Sequence, residues 1–142
     1  MKVDKAPAIA QLLKAPAANL RVALFFGPDQ GLVHERAQEL ARKIVPDLSD
    51  PFNGAELSSS SITAEGARLY DEMGAQSLMG GRRLVRVQGA EDGISPAVQN
   101  VLNDPPPGDN FLIIEAGELR PTSPLRKLCE ASENAAAVPC YV

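Results

Sequence analysis

An apolar run ending at Phe26 leads into Gly-Pro-Asp-Gln-Gly at residues 27–31, and a helix-like pattern follows. A strand feeding a glycine loop at a helix N-terminus is the layout that commonly holds phosphate. The chemistry needs backbone N–H groups around the phosphates, a Lys to neutralise charge and a Ser or Thr hydroxyl to hold Mg²⁺. Gly27 and Gly31 supply the loop, but Val33 and His34 stand where the Lys and the Ser/Thr belong. Val33 offers neither charge nor donor. His34 is mostly neutral at pH 7 and a poor Mg²⁺ ligand beside a hydroxyl. Gly27, Gly31, Val33 and His34 therefore read as a degenerate phosphate loop that is not expected to bind nucleotide.

Other reactive side chains are sparse. The acid that would hold a metal after a later strand is Glu115 alone in "LIIEAGEL", which reads as a solvated carboxylate at a strand end. His34 is the single histidine, so any Ser-His-Asp or Cys-His arrangement would have to use it. Neither a nucleophile elbow nor a positioned Cys is recognisable. Cys129 and Cys140 lack metal-ligand spacing and read as reduced, partly buried thiols. No catalytic residue, metal or cofactor is expected, and the chain does not read as an enzyme by itself.

Composition agrees. The 142 residues are one domain by length, and 44% hydrophobic content argues against disorder. A net charge of −4, 4% aromatics and no Trp do not advertise a direct nucleic-acid ligand or a stacking platform. No stretch reaches the roughly 18 apolar residues of a membrane span and no signal-peptide core opens the chain, so a cytoplasmic location is expected.

The elements that must position these residues alternate. Ile9, Leu12 and Leu13 mark a short helix closed by Pro16. "RVALFF" (Arg21–Phe26) is a buried strand. Asp29 can cap a helix with Val33, Ala37, Leu40, Ala41 and Ile44 on one face and Pro46 at its end. "PFNGAEL" (Pro51–Leu57) is a weaker strand, and "SSSS" at Ser58–Ser61 reads as a loop. Ile62, Leu69, Tyr70 and Met73 predict one helix, capped by Ser61 or Thr63 and stopped at Gly74. "RRLVRVQ" (Arg82–Gln88) is a strand whose alternation puts Arg82 and Arg86 on one side and Arg83 on the other. These arginines read as solvated surface, with acidic groups on a partner, or Asp71 and Glu72 of this chain, as the alternative pairings. Ser95-Pro96 opens a helix as cap and first-turn proline, with "PPP" (Pro105–Pro107) as a loop beyond it. "NFLIIEA" (Asn110–Ala116) is the strongest strand, and Ser123-Pro124 opens a further helix. "AAAVPCYV" (Ala135–Val142) is a last strand that Pro139 assigns to an edge or a bulge. Such alternation predicts a three-layer α/β domain, a parallel sheet flanked by helices. Phe26, Leu40, Val85, Ile113 and Leu125 are the expected core.

Three stretches, "RVALFFGPDQGLVHERAQELA", "LYDEMGAQSLMGGRRLVRVQGAED" and "NFLIIEAGELRPTSPLRKLCE", are spread from Arg21 to Glu130, a span that covers most of the chain. In order and spacing they resemble the N-terminal domain of the delta subunit of bacterial DNA polymerase III, the clamp-loader component that opens the sliding clamp. The resemblance implies a P-loop/AAA+-like fold without a functional ATP site, in keeping with Val33 and His34. It implies that residues 1–142 form one domain of a longer subunit whose lid and collar domains are absent. Its partners would be the sliding clamp (the beta subunit) and the gamma/tau and delta prime loader subunits. The latter would be met mainly through the absent domains, and DNA only within the full DNA polymerase III assembly.

In that family the clamp-gripping residues lie between the second helix and the third strand. The match carries this role to Gln76, Ser77, Leu78 and Met79 in "AQSLMGGRR". Many clamp-binding peptides end in Leu-Phe, so Met79 is a departure, although Met can fill an apolar pocket. Read without the resemblance, Leu78 and Met79 either fold back onto the core or stand as apolar anchors between flexible polar residues. The alternative function is a small nucleotide-binding α/β protein or NTPase with a degenerate loop, using Asp29 or Glu115 for Mg²⁺.

Overall fold

A computed structural model describes residues 1–45, 47–50, 53–77 and 81–141. In chain order the elements are α1 (Ala6–Lys14), β1 (Val22–Phe26), α2 (Gln30–Ile44), β2 (Gly54–Ser58), α3 (Ser59–Ala64), α4 (Ala67–Gly74), β3 (Leu84–Ala90), α5 (Ser95–Asn103), β4 (Phe111–Ala116), α6 (Pro124–Ala131) and β5 (Ala135–Pro139), with a 3₁₀ turn at Asp92–Ile94 before α5. The strands form one five-stranded sheet in the order β2-β3-β4-β1-β5, parallel throughout. Val22 pairs with Leu112 on one side and with Ala135 on the other.

Parallel strands covered on both faces need apolar residues at consecutive positions, which is why β1 and β4 show no alternation. Ala23, Phe25, Phe111, Ile113, Ala136 and Val138 pack with Ile9, Leu12, Val33 and Leu40 of α1 and α2. Their strand neighbours Val22, Leu24, Phe26, Leu112 and Ile114 meet Ile62, Leu69, Met73, Val98 and Leu125 on the other face. The chain runs from β1 out to the far edge at β2 and then returns through β3 and β4, so right-handed crossovers assign α2 to one face and α3 to α6 to the other. All five expected core residues are buried, Ile113 at 1% exposure and Phe26, Leu40, Val85 and Leu125 at 0%.

Local capping follows the sequence in places. The Asp29 carboxylate accepts from Leu32 N at 3.1 Å and Ser123 Oγ accepts from Arg126 N at 3.2 Å, so both expected caps form. Elsewhere tertiary packing overrides the pattern. Ser59–Ser61 are helical rather than a loop, and Ser58 is the cap of α3, accepting from Ser61 N at 3.1 Å. The helix expected across Ile62–Met73 is two helices, broken where Glu65 leaves helical geometry before Gly66, a residue of low helix propensity. The break lets α3 lie against the 3₁₀ turn and α4 against α5. Ser95 does not cap α5; it is that helix's first residue, and its hydroxyl donates to Asp92 O at 2.7 Å.

β5 is an edge strand, as Pro139 requires. Residues 1–3 cover its outer side, with Val3 N donating to Ala137 O at 2.9 Å and Ala137 N donating to Met1 O at 2.8 Å. Such cover blunts an edge that would otherwise template pairing with another chain. β2 forms the opposite edge and approaches β3 so closely that a Cβ on Gly54 would lie 1.9 Å from Leu84 O. The expected helix stop at Pro46, the Pro51–Phe52 start of the weaker strand and Val142 at the end of the last one lie outside the described residues. Among the described residues no helix is long and apolar enough to cross a membrane.

Candidate functional site

The glycine loop sits at the carboxyl end of β1, where open parallel sheets bind ligands. Several of its polar groups are engaged by the chain itself. Gly27 N donates to Gly117 O at 3.1 Å, and the Gln30 carboxamide donates to Gly27 O at 2.8 Å and to Ala116 O at 3.2 Å. Cys140 N donates to Phe26 O at 2.6 Å, and this passing strand end comes so near that a Cβ on Gly27 would lie 2.2 Å from Cys140 O. Leu32 N is taken by Asp29, and Val33 N by Asp29 O at 3.0 Å. Gly31 is exposed in the first turn of α2. Val33, at the lysine position, is fully buried among α1, α2 and the sheet, so it serves the core and does not face the loop's ligand side.

His34, at the hydroxyl position, turns to β4. Its Nδ1 lies 3.0 Å from Glu115 Oε1, and because a carboxylate can only accept, Nδ1 carries the proton of that bond. Gln88 Nε2 donates to Glu115 Oε2 at 3.4 Å. The side chains are 51% exposed at His34 and 11% at Glu115. The expectation of a solvated carboxylate is therefore wrong: Glu115 lies on the sheet face that α2 covers, and burial there demands the partners it has. The two cysteines lie in the core. Burial pushes the Cys129 thiol up to about 12 and raises that of Cys140. Among the described residues no group of three or more His, Cys, Asp or Glu is arranged to hold a metal.

The second candidate site joins α4 to β3. Gln76 is exposed and Ser77 half-buried, whereas Leu78 and Met79 lie outside the described residues together with Gly80. A cleft of about 300 Å³ runs beside the connection, between Gly74–Ser77 and Gly81 on one wall and Pro107–Asn110 on the other.

The arginines after this connection are paired rather than solvated. Arg83 donates to Glu72 O at 2.8 Å and to Glu72 Oε2 at 3.0 Å on the α4 side. Arg82 donates to Asp109 O at 2.8 Å and lies 5.6 Å from the Phe111 ring centroid, while Arg86 meets Glu56 at 2.9 Å and Gln38 of α2 at 3.3 Å. The expected split of Arg82 and Arg86 from Arg83 thus holds. β3 starts at Leu84 rather than at Arg82.

No protein-family model matches the sequence, and no curated protein matches it. Solved structures do. The Bacillus subtilis DNA clamp loader delta protein superposes with a TM-score of 0.70 at 18% identity, over 93% of this chain and 41% of that one. A DNA polymerase III gamma subunit-related protein from Thermotoga maritima gives 0.62 at 14% identity, over 94% of this chain and 46% of that one. The fold, a five-stranded parallel sheet flanked by helices, is shared with both structures. The chain spans less than half the length of either neighbour.

What sequence reasoning missed is a side chain beside the second of these sites. Asn110, 6% exposed, bonds both α4 and the start of β3. A polar residue opening an otherwise apolar strand run was the available signal.

Proposed function

We propose that this chain is the first domain of a clamp-loader delta-type subunit, which binds and helps open the bacterial sliding clamp during DNA replication without hydrolysing ATP. The observation that carries the reading is its likeness, over 93% of its length, to a protein described as a clamp loader delta. The glycine loop supports the non-ATPase part, since a buried Val33 supplies no charge and the Gln30 carboxamide is engaged within the chain. Gln76, Ser77, Leu78 and Met79 are the proposed clamp-binding residues. Leu78 and Met79 fill an apolar pocket on the clamp, and the surrounding surface favours a distorted clamp interface. The open ring gains population because it binds this surface better than the closed ring does. Residues 1–142 then belong to a longer cytoplasmic subunit, whose further domains meet the gamma/tau and delta prime subunits, with DNA met only in the full assembly.

The test is Leu78→Ala with Met79→Ala, assayed for thermal stability and for affinity to an immobilised bacterial sliding clamp. Two side chains entering a pocket supply about 1.5–3 kcal/mol each by burial. Their loss should weaken binding by roughly two to four orders of magnitude, with the melting temperature nearly unmoved. A variant that melts much earlier, or that binds the clamp as well as the parent, refutes the assignment.

A further inference from the structure

The two edges of the sheet are guarded differently. β2 carries Glu56, whose side chain is 65% exposed, and a charge on an edge strand discourages pairing with another chain. β5 has no such device. Residues 135–140 read Ala-Ala-Ala-Val-Pro-Cys, without a charge, and the register against β1 runs unbroken from Ala135 to Pro139. Residues 1–3 cover this edge instead. Ala137 turns both of its backbone groups towards them: its C=O accepts from Val3 N at 2.9 Å and its N–H donates to Met1 O at 2.8 Å. Lys2 is bridged to Ala137 in parallel between those two bonds. With this cover in place Ala135, Ala136, Ala137 and Val138 are at most 1% exposed.

We propose that residues 1–3 are a guard strand over a strand-addition site, and that the occupant they exclude is the β5 edge of a second copy of this chain. The edge is self-complementary about Ala137. A two-fold axis there would set Ala137 opposite its own counterpart in an antiparallel pair. Directly opposed residues of such a pair exchange both N–H···O bonds, so the two groups that residues 1–3 now satisfy would satisfy each other. Nothing charged lies on β5 to oppose a like charge across the axis. The contact is isologous and uses up both β5 edges, so assembly stops at two chains. Main-chain bonding to an exposed sheet edge is a general recognition mode, and small side chains do not obstruct it.

The test removes the guard in two ways. One variant lacks residues 1–3; the other is Val3→Pro, which keeps the length but deletes the N–H donated to Ala137 O. Mass is followed by light scattering across a dilution series, and amide exchange is read at Ala137. The parent should hold one chain's mass with the Ala137 amide protected throughout. Both variants should rise towards twice that mass with concentration, with Ala137 exchanging fast when dilute and protected again when concentrated. A synthetic peptide of residues 1–5, added in excess, should return the shortened chain towards one chain's mass. Should the shortened chain fail to fold, Val3→Pro carries the test. Folded variants of one chain's mass at every concentration would overturn the proposal. So would a dimer whose Ala137 amide stays unprotected, which would pair through another surface, or growth beyond two chains. If neither variant folds, residues 1–3 hold the fold rather than guard an edge, and the proposal falls.

Discussion

Val33 decides between a damaged nucleotide site and a core position, and substituting it should show which. It is fully buried against α1 and the sheet. Val33→Ala removes two methyl equivalents, about 1.6 kcal/mol at 0.8 kcal/mol each, and the residual cavity brings this to about 2 kcal/mol. Unfolding entropy of about 2.1 cal/mol/K per residue gives a chain of 142 residues about 0.3 kcal/mol/K, so each kcal/mol moves Tm by about 3 °C. Val33→Ala should therefore melt about 6 °C below the parent. Val33→Lys keeps an aliphatic stem but drives an ammonium into the core, which costs several kcal/mol, or roughly 10–15 °C in Tm. Burial lowers the pKa of the introduced lysine, so between that value and about 10.4 the unfolded chain binds more protons than the folded one. Stability of Val33→Lys must then rise with pH across this window, relative to the parent at each pH. Adding His34→Thr completes the residue pair that a phosphate loop needs, yet Mg²⁺-ATP should not raise Tm, as any ligand that binds only the native state would. Differential scanning calorimetry from pH 7 to 10, with and without Mg²⁺-ATP, measures all three effects. A Val33→Lys protein that melts within about 2 °C of the parent, or that gains an ATP-dependent rise, would refute the reasoning.

Two further outcomes follow from the core. Ile113→Ala, at 1% exposure on the central strand β4, should lose roughly 2–5 kcal/mol in urea melts with an unchanged m-value. With its thiol pushed up to about 12, Cys129 should resist thiol reagents at pH 8 until urea unfolds the chain. Because its folded-state pKa lies above the unfolded value, Cys129 should also lower stability as pH rises above about 9, which pH-dependent melts of the parent against Cys129→Ala would isolate.

Elements whose signal is local were legible in the amino-acid sequence. β1 and β4 follow from unbroken apolar runs, while α2 and α6 follow from Asp29 and Ser123, whose side chains meet N–H groups three residues on. The absence of Lys and Ser/Thr at residues 33 and 34 needs no structure either. Contacts between distant segments were not legible. His34 and Glu115 are 81 residues apart, and only the placement of β4 beside β1 turns a carboxylate that read as solvated into a buried partner. Arg82, Arg83 and Arg86 are a basic cluster in sequence, but three different segments neutralise them once the sheet forms. The break between α3 and α4 was hidden because the apolar spacing of Ile62, Leu69 and Met73 suits one helix as well as two. Periodicity records which side chains avoid water; which neighbour receives each of them depends on strand order, and that is decided only when all five strands pack together.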